Sequence, residues 1–226
     1  MTLAPRLAEV RAGRARDFAR PAWDHAPDRI WRSAYDKAPI SGPAFVRRLG
    51  VEGDEQYEVE VHGGPEMALL AYSIERYPEW REWLSLPEIG PGGFGENLCV
   101  SGLDETSVCI GDVWRVGEAR LQISQPRGPC ANISRRWDRM EMLRRVTETA
   151  RAGWYLRVLE EGRIAAGDAI ERLERPCPEW TIERVFRARV EHGTSAETFE
   201  TLAALEELSP EWRAKFAARL EALRGA

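Results

Sequence analysis

Through roughly the first 175 residues, apolar and polar positions alternate more often than they follow a helical period. Leu121 and Ile123 fall on one face of a run that puts Gln122 and Ser124 on the other, which predicts a strand. Two further segments, Cys109-Ile-Gly-Asp-Val-Trp-Arg-Val and Ala166-Gly-Asp-Ala-Ile-Glu-Arg-Leu, each set a Gly-Asp turn ahead of an alternating run. They fit successive strands of a β-barrel. Strand-like runs are also expected at residues 7–18 (broken at Gly13), 32–35, 44–49, 154–159 and 168–173, the last two about a Glu161-Gly162 turn. Pro21, Gly53, Gly63-Gly64-Pro65 and the glycine-rich segment 87–95 mark loops. Helices are predicted over 74–84, capped by Ser73 and kinked or divided by Pro78, and over 134–150, where Trp137, Met140, Leu143 and Val146 recur every third residue.

Beyond Pro176 and Pro178 the period changes from two to 3.6. Residues 181–190 carry Ile182, Val185 and Phe186 on one face; Ser195 opens a second helix with Phe199, Leu202 and Leu205. Ser209-Pro210 places a cap and a proline at the first turn of a third, with Trp212, Phe216, Leu220 and Leu223 inward and Gly225 at its end. The expected organisation is a mainly β, barrel-like domain with peripheral helices over residues 1–175 and a small α-helical bundle over 176–226. Three short helices bury too little to stand alone, so the bundle should pack on the barrel or on a partner.

Composition narrows the function classes. With 43% hydrophobic residues and nine tryptophans the chain can build a real core. Its net charge of -5 argues against binding a nucleic-acid polymer. No run reaches membrane-span length, and residues 1–20 lack the apolar core of a secretory signal, so a soluble cytoplasmic protein is expected. The four cysteines show no paired spacing that would suggest a zinc ribbon or a disulfide framework. Lys37 and Lys215 are the only lysines.

Candidate chemistry centres on Gln125-Pro-Arg-Gly-Pro-Cys130. Pro126 and Pro129 stiffen this exit from a strand and hold Arg127 and Cys130 on a short loop. A thiol beside a permanent cation suggests an electropositive pocket. The residues alone leave open whether Cys130 is a small buried hydrophobe with Arg127 as a surface ion-pair partner. His62, in His62-Gly-Gly-Pro65, can sit beside an anion cradled by backbone N–H groups, or simply hydrogen-bond within a tight turn. Asn97 can offer a ligand both donor and acceptor, and Asp54 can cap a turn. Cys99, Cys109 and Cys177 read as inert packing, and Trp180 and Trp212 as core.

Taken together, Ser33-Ala-Tyr-Asp-Lys-Ala-Pro39, Gly50-Val-Glu-Gly-Asp-Glu-Gln56, His62-Gly-Gly-Pro65, Phe94-Gly-Glu-Asn-Leu98, Gln125-Pro-Arg-Gly-Pro-Cys130, Gly153-Trp-Tyr-Leu-Arg-Val158 and Ala166-Gly-Asp168 resemble the motifs of the MOSC domain family. The likeness covers roughly residues 5–175, and the terminal helices look like the three-helix domain that follows the MOSC domain in YiiM-like members. Departures are Tyr35-Asp36, where an aliphatic residue is more usual, and Gly128, where serine is common.

The resemblance implies a MOSC-type β-barrel that binds the molybdenum cofactor, a molybdopterin, with Cys130 as the metal ligand; a thiolate suits such a soft centre. It carries Arg127 and His62 over as the residues that accompany the cysteine. It carries Lys37 over as a point charge for the pterin phosphate, with Asn97 as a further cofactor contact. The activity it implies is reduction of N-hydroxylated small molecules, such as hydroxylaminopurine bases. Electrons would come from a separate reductase, since the chain has no iron–sulfur or flavin motif, and a homodimer is compatible with it. A non-catalytic carrier of the cofactor and a metal-free thiol enzyme using Cys130 and His62 are the competing readings.

Overall fold

The computed structural model describes residues 4–57, 59, 63–128 and 130–225. His62 and Pro129 lie outside the described residues, as does most of the segment between Tyr57 and His62. Thirteen strands are seen among the described residues, beginning with β1 (Arg6–Ala12), β2 (Arg16–Ala19), β3 (Ile30–Ser33), β4 (Ala38–Pro39), β5 (Ala44–Arg47), β6 (Gly50–Val51) and β7 (Leu69–Ser73). They continue as β8 (Leu98–Ser101), β9 (Val113–Val116), β10 (Ala119–Pro126), β11 (Trp154–Glu160), β12 (Gly162–Ile164) and β13 (Ile170–Glu174). Eight form one sheet in the order β13-β9-β10-β11-β7-β8-β1-β4, while β12-β5-β6 and β2-β3 make two smaller sheets. Only the β7–β8 neighbours run parallel, so the large sheet is mixed.

That sheet curls into a half-barrel. Near its two ends, Arg6 bridges Ala169, Leu7 N donates to the Asp168 carbonyl at 2.9 Å and Ile170 N to the Pro5 carbonyl at 3.0 Å. The two Gly-Asp segments prove to be direct neighbours: β9 and β13 pair antiparallel with Trp114 opposite Arg172. Leu121 and Ile123 are fully buried, and the Trp114 and Trp154 rings meet edge to face at 6.2 Å inside the curl. Burial of such side chains is worth about 1.5–3 kcal/mol each, and this interior is what fixes the register.

Several predicted boundaries move. Segment 74–84 divides into a 3-10 turn, Ile74–Arg76, and helix α1 (Tyr77–Leu84), with Pro78 in the first turn of α1 where a missing N–H costs nothing. Segment 134–150 is not one helix but two, α2 (Ala131–Trp137) and α3 (Met142–Thr149). Asp138 takes the left-handed conformation (φ 51°) between them, Met140 is exposed, and Ser134 Oγ accepts from Leu143 N across the break. Strands β11 and β13 do not pair about Gly162; the chain instead leaves β11 to add β12 to β5, and β13 reaches β9.

The terminal bundle consists of α4 (Ile182–Val190), α5 (Ala196–Ala204) and α6 (Pro210–Arg224). Thr181, Ser195 and Ser209 each cap their helix by accepting a backbone N–H three residues on. Leu223, expected inward, is half exposed in the last turn of α6. The bundle packs on the barrel: Ile182 N donates to the Val108 carbonyl, Glu183 N to that of Glu105, and Ser209 N to that of Ser124. Among the described residues, no helix is long and apolar enough to cross a membrane.

Candidate functional site

β10 ends at Pro126, and the chain turns out of the sheet through Arg127 and Gly128 to Cys130, the N-cap residue of α2. Arg127 N donates to the Gly153 carbonyl at 3.0 Å, which fixes the start of this loop to the strand beside it. The helix after Cys130 is held from outside through its last turn. Arg135 Nε donates to Asp24 at 2.6 Å, Arg136 pairs with Asp36, and Trp137 Nε1 donates to the Gly93 carbonyl at 2.7 Å.

Arg127 is buried, and its Nη1 donates to the Phe94 carbonyl at 2.8 Å. The position of that carbonyl traces to an aromatic cluster in which Phe94 stacks on Tyr72 at 4.0 Å and touches Tyr77 and Trp80. It also traces to Glu96, a fully buried carboxylate that accepts from Gly92 N, Phe94 N and the Tyr77 hydroxyl. Gly95 lies against Tyr35 with φ 73°, and a β-carbon there would come within 3.1 Å of the ring. Burial works against the Arg127 charge, but Tyr35, Tyr155 and Cys130 around it work for it, and the balance raises its pKa. Burial pushes the Tyr35 and Tyr155 hydroxyls up, with Arg127 opposing, so both stay protonated. Among the described residues no carboxylate pairs with Arg127, so a buried cation faces an open pocket.

That pocket has a volume of about 210 Å³ and brings together four of the five residues expected to carry function: Lys37, Asn97, Arg127 and Cys130 all line it. The fifth, His62, is outside the described residues. Lys37 is not a bare point charge. Its ammonium is held by both oxygens of Asp54, at 2.5 and 2.7 Å. Asn97 is spoken for as well: its side-chain oxygen accepts from Leu70 N, and its amide donates to the Arg11 carbonyl and to Asp54. Its geometry makes it the residue that positions Asp54, which also accepts from Gly13 N at 2.8 Å.

Other lining residues had no functional reading in the sequence. Gln125 is buried, and its side-chain oxygen has no hydrogen-bond partner among the described residues. Tyr155 comes from β11, while Arg189 and Trp212 come from the terminal bundle. Only the adjacency of Gln125 to the Arg127 motif offered a signal; the others are brought in by topology.

These residues fit a ligand that is anionic, carries N–H donors and presents a soft metal. Arg127 offers a desolvated cation, Gln125 an unused acceptor, and Cys130 a thiol on a braced loop. MOSC domains are associated with binding the molybdenum cofactor, which has these properties.

Residues 58–171 match the MOSC domain family, and residues 180–223 match the YiiM-like, 3-alpha helix domain. The YflK protein of Bacillus subtilis is 39% identical over 80% of this chain and 81% of its own length. A protein of Gibberella moniliformis named Reductase is 39% identical over 81% of this chain, which spans only 32% of that longer protein. The crystal structure of YiiM from Geobacillus stearothermophilus superposes with a TM-score of 0.79 at 27% identity, covering 96% of this chain and 99% of that one. The chain therefore belongs to the MOSC domain family, in its YiiM-like form with a C-terminal three-helix domain.

Proposed function

We propose that this protein is a molybdenum-cofactor-dependent reductase that converts N-hydroxylated compounds, such as hydroxylaminopurine bases, to the amine and water. The observation that carries the reading is the sharing of one pocket by the Cys130 thiol and a buried Arg127 with no carboxylate partner among the described residues. The likeness to a fungal protein named Reductase supports redox chemistry.

The cofactor, when bound, supplies the two electrons that cleave the N–O bond. Cys130 offers the protein's thiolate to the metal, and no group of three or more His, Cys, Asp or Glu among the described residues could hold a metal by itself. Arg127 holds an anionic cofactor group, and Gln125 accepts from a ligand N–H. Lys37 and Asp54 form a neutral, fixed pair on the pocket wall. Tyr155 keeps its proton at Oη and can donate a hydrogen bond to the departing oxygen. His62 is the further proton donor in this proposal, and a separate reductase delivers the electrons.

Protein purified from cofactor-replete cells should contain molybdenum and pterin and should reduce 6-hydroxylaminopurine when a competent reductase is supplied. Wild-type protein with neither component, or a Cys130→Ala variant with undiminished turnover, sinks the reading. Full cofactor content without turnover would instead identify a carrier.

A further inference from the structure

Four cations line the Cys130 pocket, and they differ in what they face. Lys37 is neutralised by Asp54, and Lys215 pairs with Glu211 one turn away on α6. Glu55, the third carboxylate of the lining, accepts from Ala15 N at the exposed rim. Arg127 and Arg189 remain, and neither makes an ion pair among the described residues.

Arg189 reaches the pocket from the last turn of α4 in the terminal bundle. Its guanidinium lies over the buried Trp212 indole of α6, 4.7 Å from the ring centroid. Its Nη1 is 3.0 Å from where a β-carbon on residue 128 would stand, so the guanidinium lies against Gly128, next to Arg127 in the chain. Burial lowers its pKa, with Glu211 opposing, yet an arginine remains charged. One face of the fork is committed to the indole. Among the described residues its N–H donors have no hydrogen-bond partner, although Glu211 stands near enough to act on its charge. A half-desolvated guanidinium with idle donors is matched by a group carrying several acceptor oxygens and a full negative charge.

We propose that Arg189, supplied by the three-helix bundle, forms with Arg127 a phosphate-monoester subsite spanning the gap between bundle and barrel. The bundle is then a working wall of the pocket rather than a separate appendage. The phosphate could belong to the substrate, making it a nucleotide rather than a free base, or to the pterin cofactor. The inference uses the proposed site but concerns binding, so it can be judged without turnover.

The test compares wild type with Arg189→Gln and Arg189→Met, which keep the stem over Trp212, after a thermal melt shows that each is folded. Binding of 6-hydroxylaminopurine riboside and of its 5′-monophosphate is measured by calorimetry, with molybdenum and pterin content measured on the same samples. If the phosphate is the substrate's, wild type binds the monophosphate about tenfold or more tighter than the riboside, and both variants lose that preference at unchanged cofactor content. If it is the cofactor's, the variants lose pterin and molybdenum instead. Variants that match wild type in both the monophosphate preference and cofactor content overturn the subsite. Loss of turnover alone in wild type would count against the reductase and leave this result intact.

Discussion

The ammonium of Lys37 is clasped by both carboxylate oxygens of Asp54, with their side chains 7% and 5% exposed. Asn97 and Gly13 N donate to the same carboxylate, so the pair is a hub joining β1, the loop before β4, the loop after β6 and the segment before β8. Removing one member strands a buried charge. Asp54→Asn or Lys37→Met should each destabilise the fold by about 3–5 kcal/mol, and the double variant by clearly less than the sum. Urea unfolding of the three variants decides it; single variants within about 0.5 kcal/mol of wild type would show that the pair is not the hub.

A second ionic tie braces, from outside, the helix that follows the Arg127–Cys130 loop. Hydrogen bonds from Arg135 and then Arg20 hold the Asp24 carboxyl at about 2, well below its usual 3.8. A depressed carboxylate contributes its stability above the unfolded-state value and loses it as pH falls through the folded one. Asp24→Asn should therefore melt below wild type near neutral pH, and the gap should close between about pH 4 and pH 2. Melting curves of both proteins across that range provide the check, and a gap independent of pH would refute the tie.

Arg127 separates geometry from charge. Lysine keeps the charge but cannot hold the Phe94 carbonyl and face Cys130 with one rigid fork. Arg127→Lys should lower cofactor retention by about 10- to 100-fold, the usual cost of losing one hydrogen bond to a charged group. Molybdenum and pterin assays after dialysis measure this; wild-type retention in the lysine variant would remove Arg127 from the cofactor's contacts.

The sequence exposed what depends on local pattern. Ser195 and Ser209-Pro210 mark helix starts through chemistry that acts within one turn, and the caps stand where expected. The Gly-Asp segments marked two strands, and the fold makes them neighbours. The loop carrying Arg127 and Cys130 was visible because its prolines are. What stayed hidden depends on distant partners. Asp54 is a polar loop residue until β1 and Asn97 are brought to it, and Arg189 looks like any solvated helical arginine until α4 is laid over Gly128. The helix predicted over 134–150 failed for a related reason. Its three-residue spacing counted Trp137 and Met140 as one stripe, whereas Trp137 turns to donate to Gly93 and Met140 faces solvent.

Gln125 offers a test in which stability and binding should move in opposite directions. Its side-chain oxygen is buried in the pocket wall without a hydrogen-bond partner among the described residues, an arrangement that costs about 1–3 kcal/mol unless something fills it. Gln125→Leu has similar bulk and removes the unsatisfied acceptor. Protein stripped of its ligand should therefore melt no lower than wild type, and by the same reasoning somewhat higher. Protein from cofactor-replete cells should do the reverse, retaining less pterin and gaining less thermal stability from it. A structural glutamine would lower the melting temperature of the stripped protein, and a bystander would change neither measurement. Only an acceptor kept unsatisfied for a ligand's N–H gives a neutral or raised melt together with weaker retention.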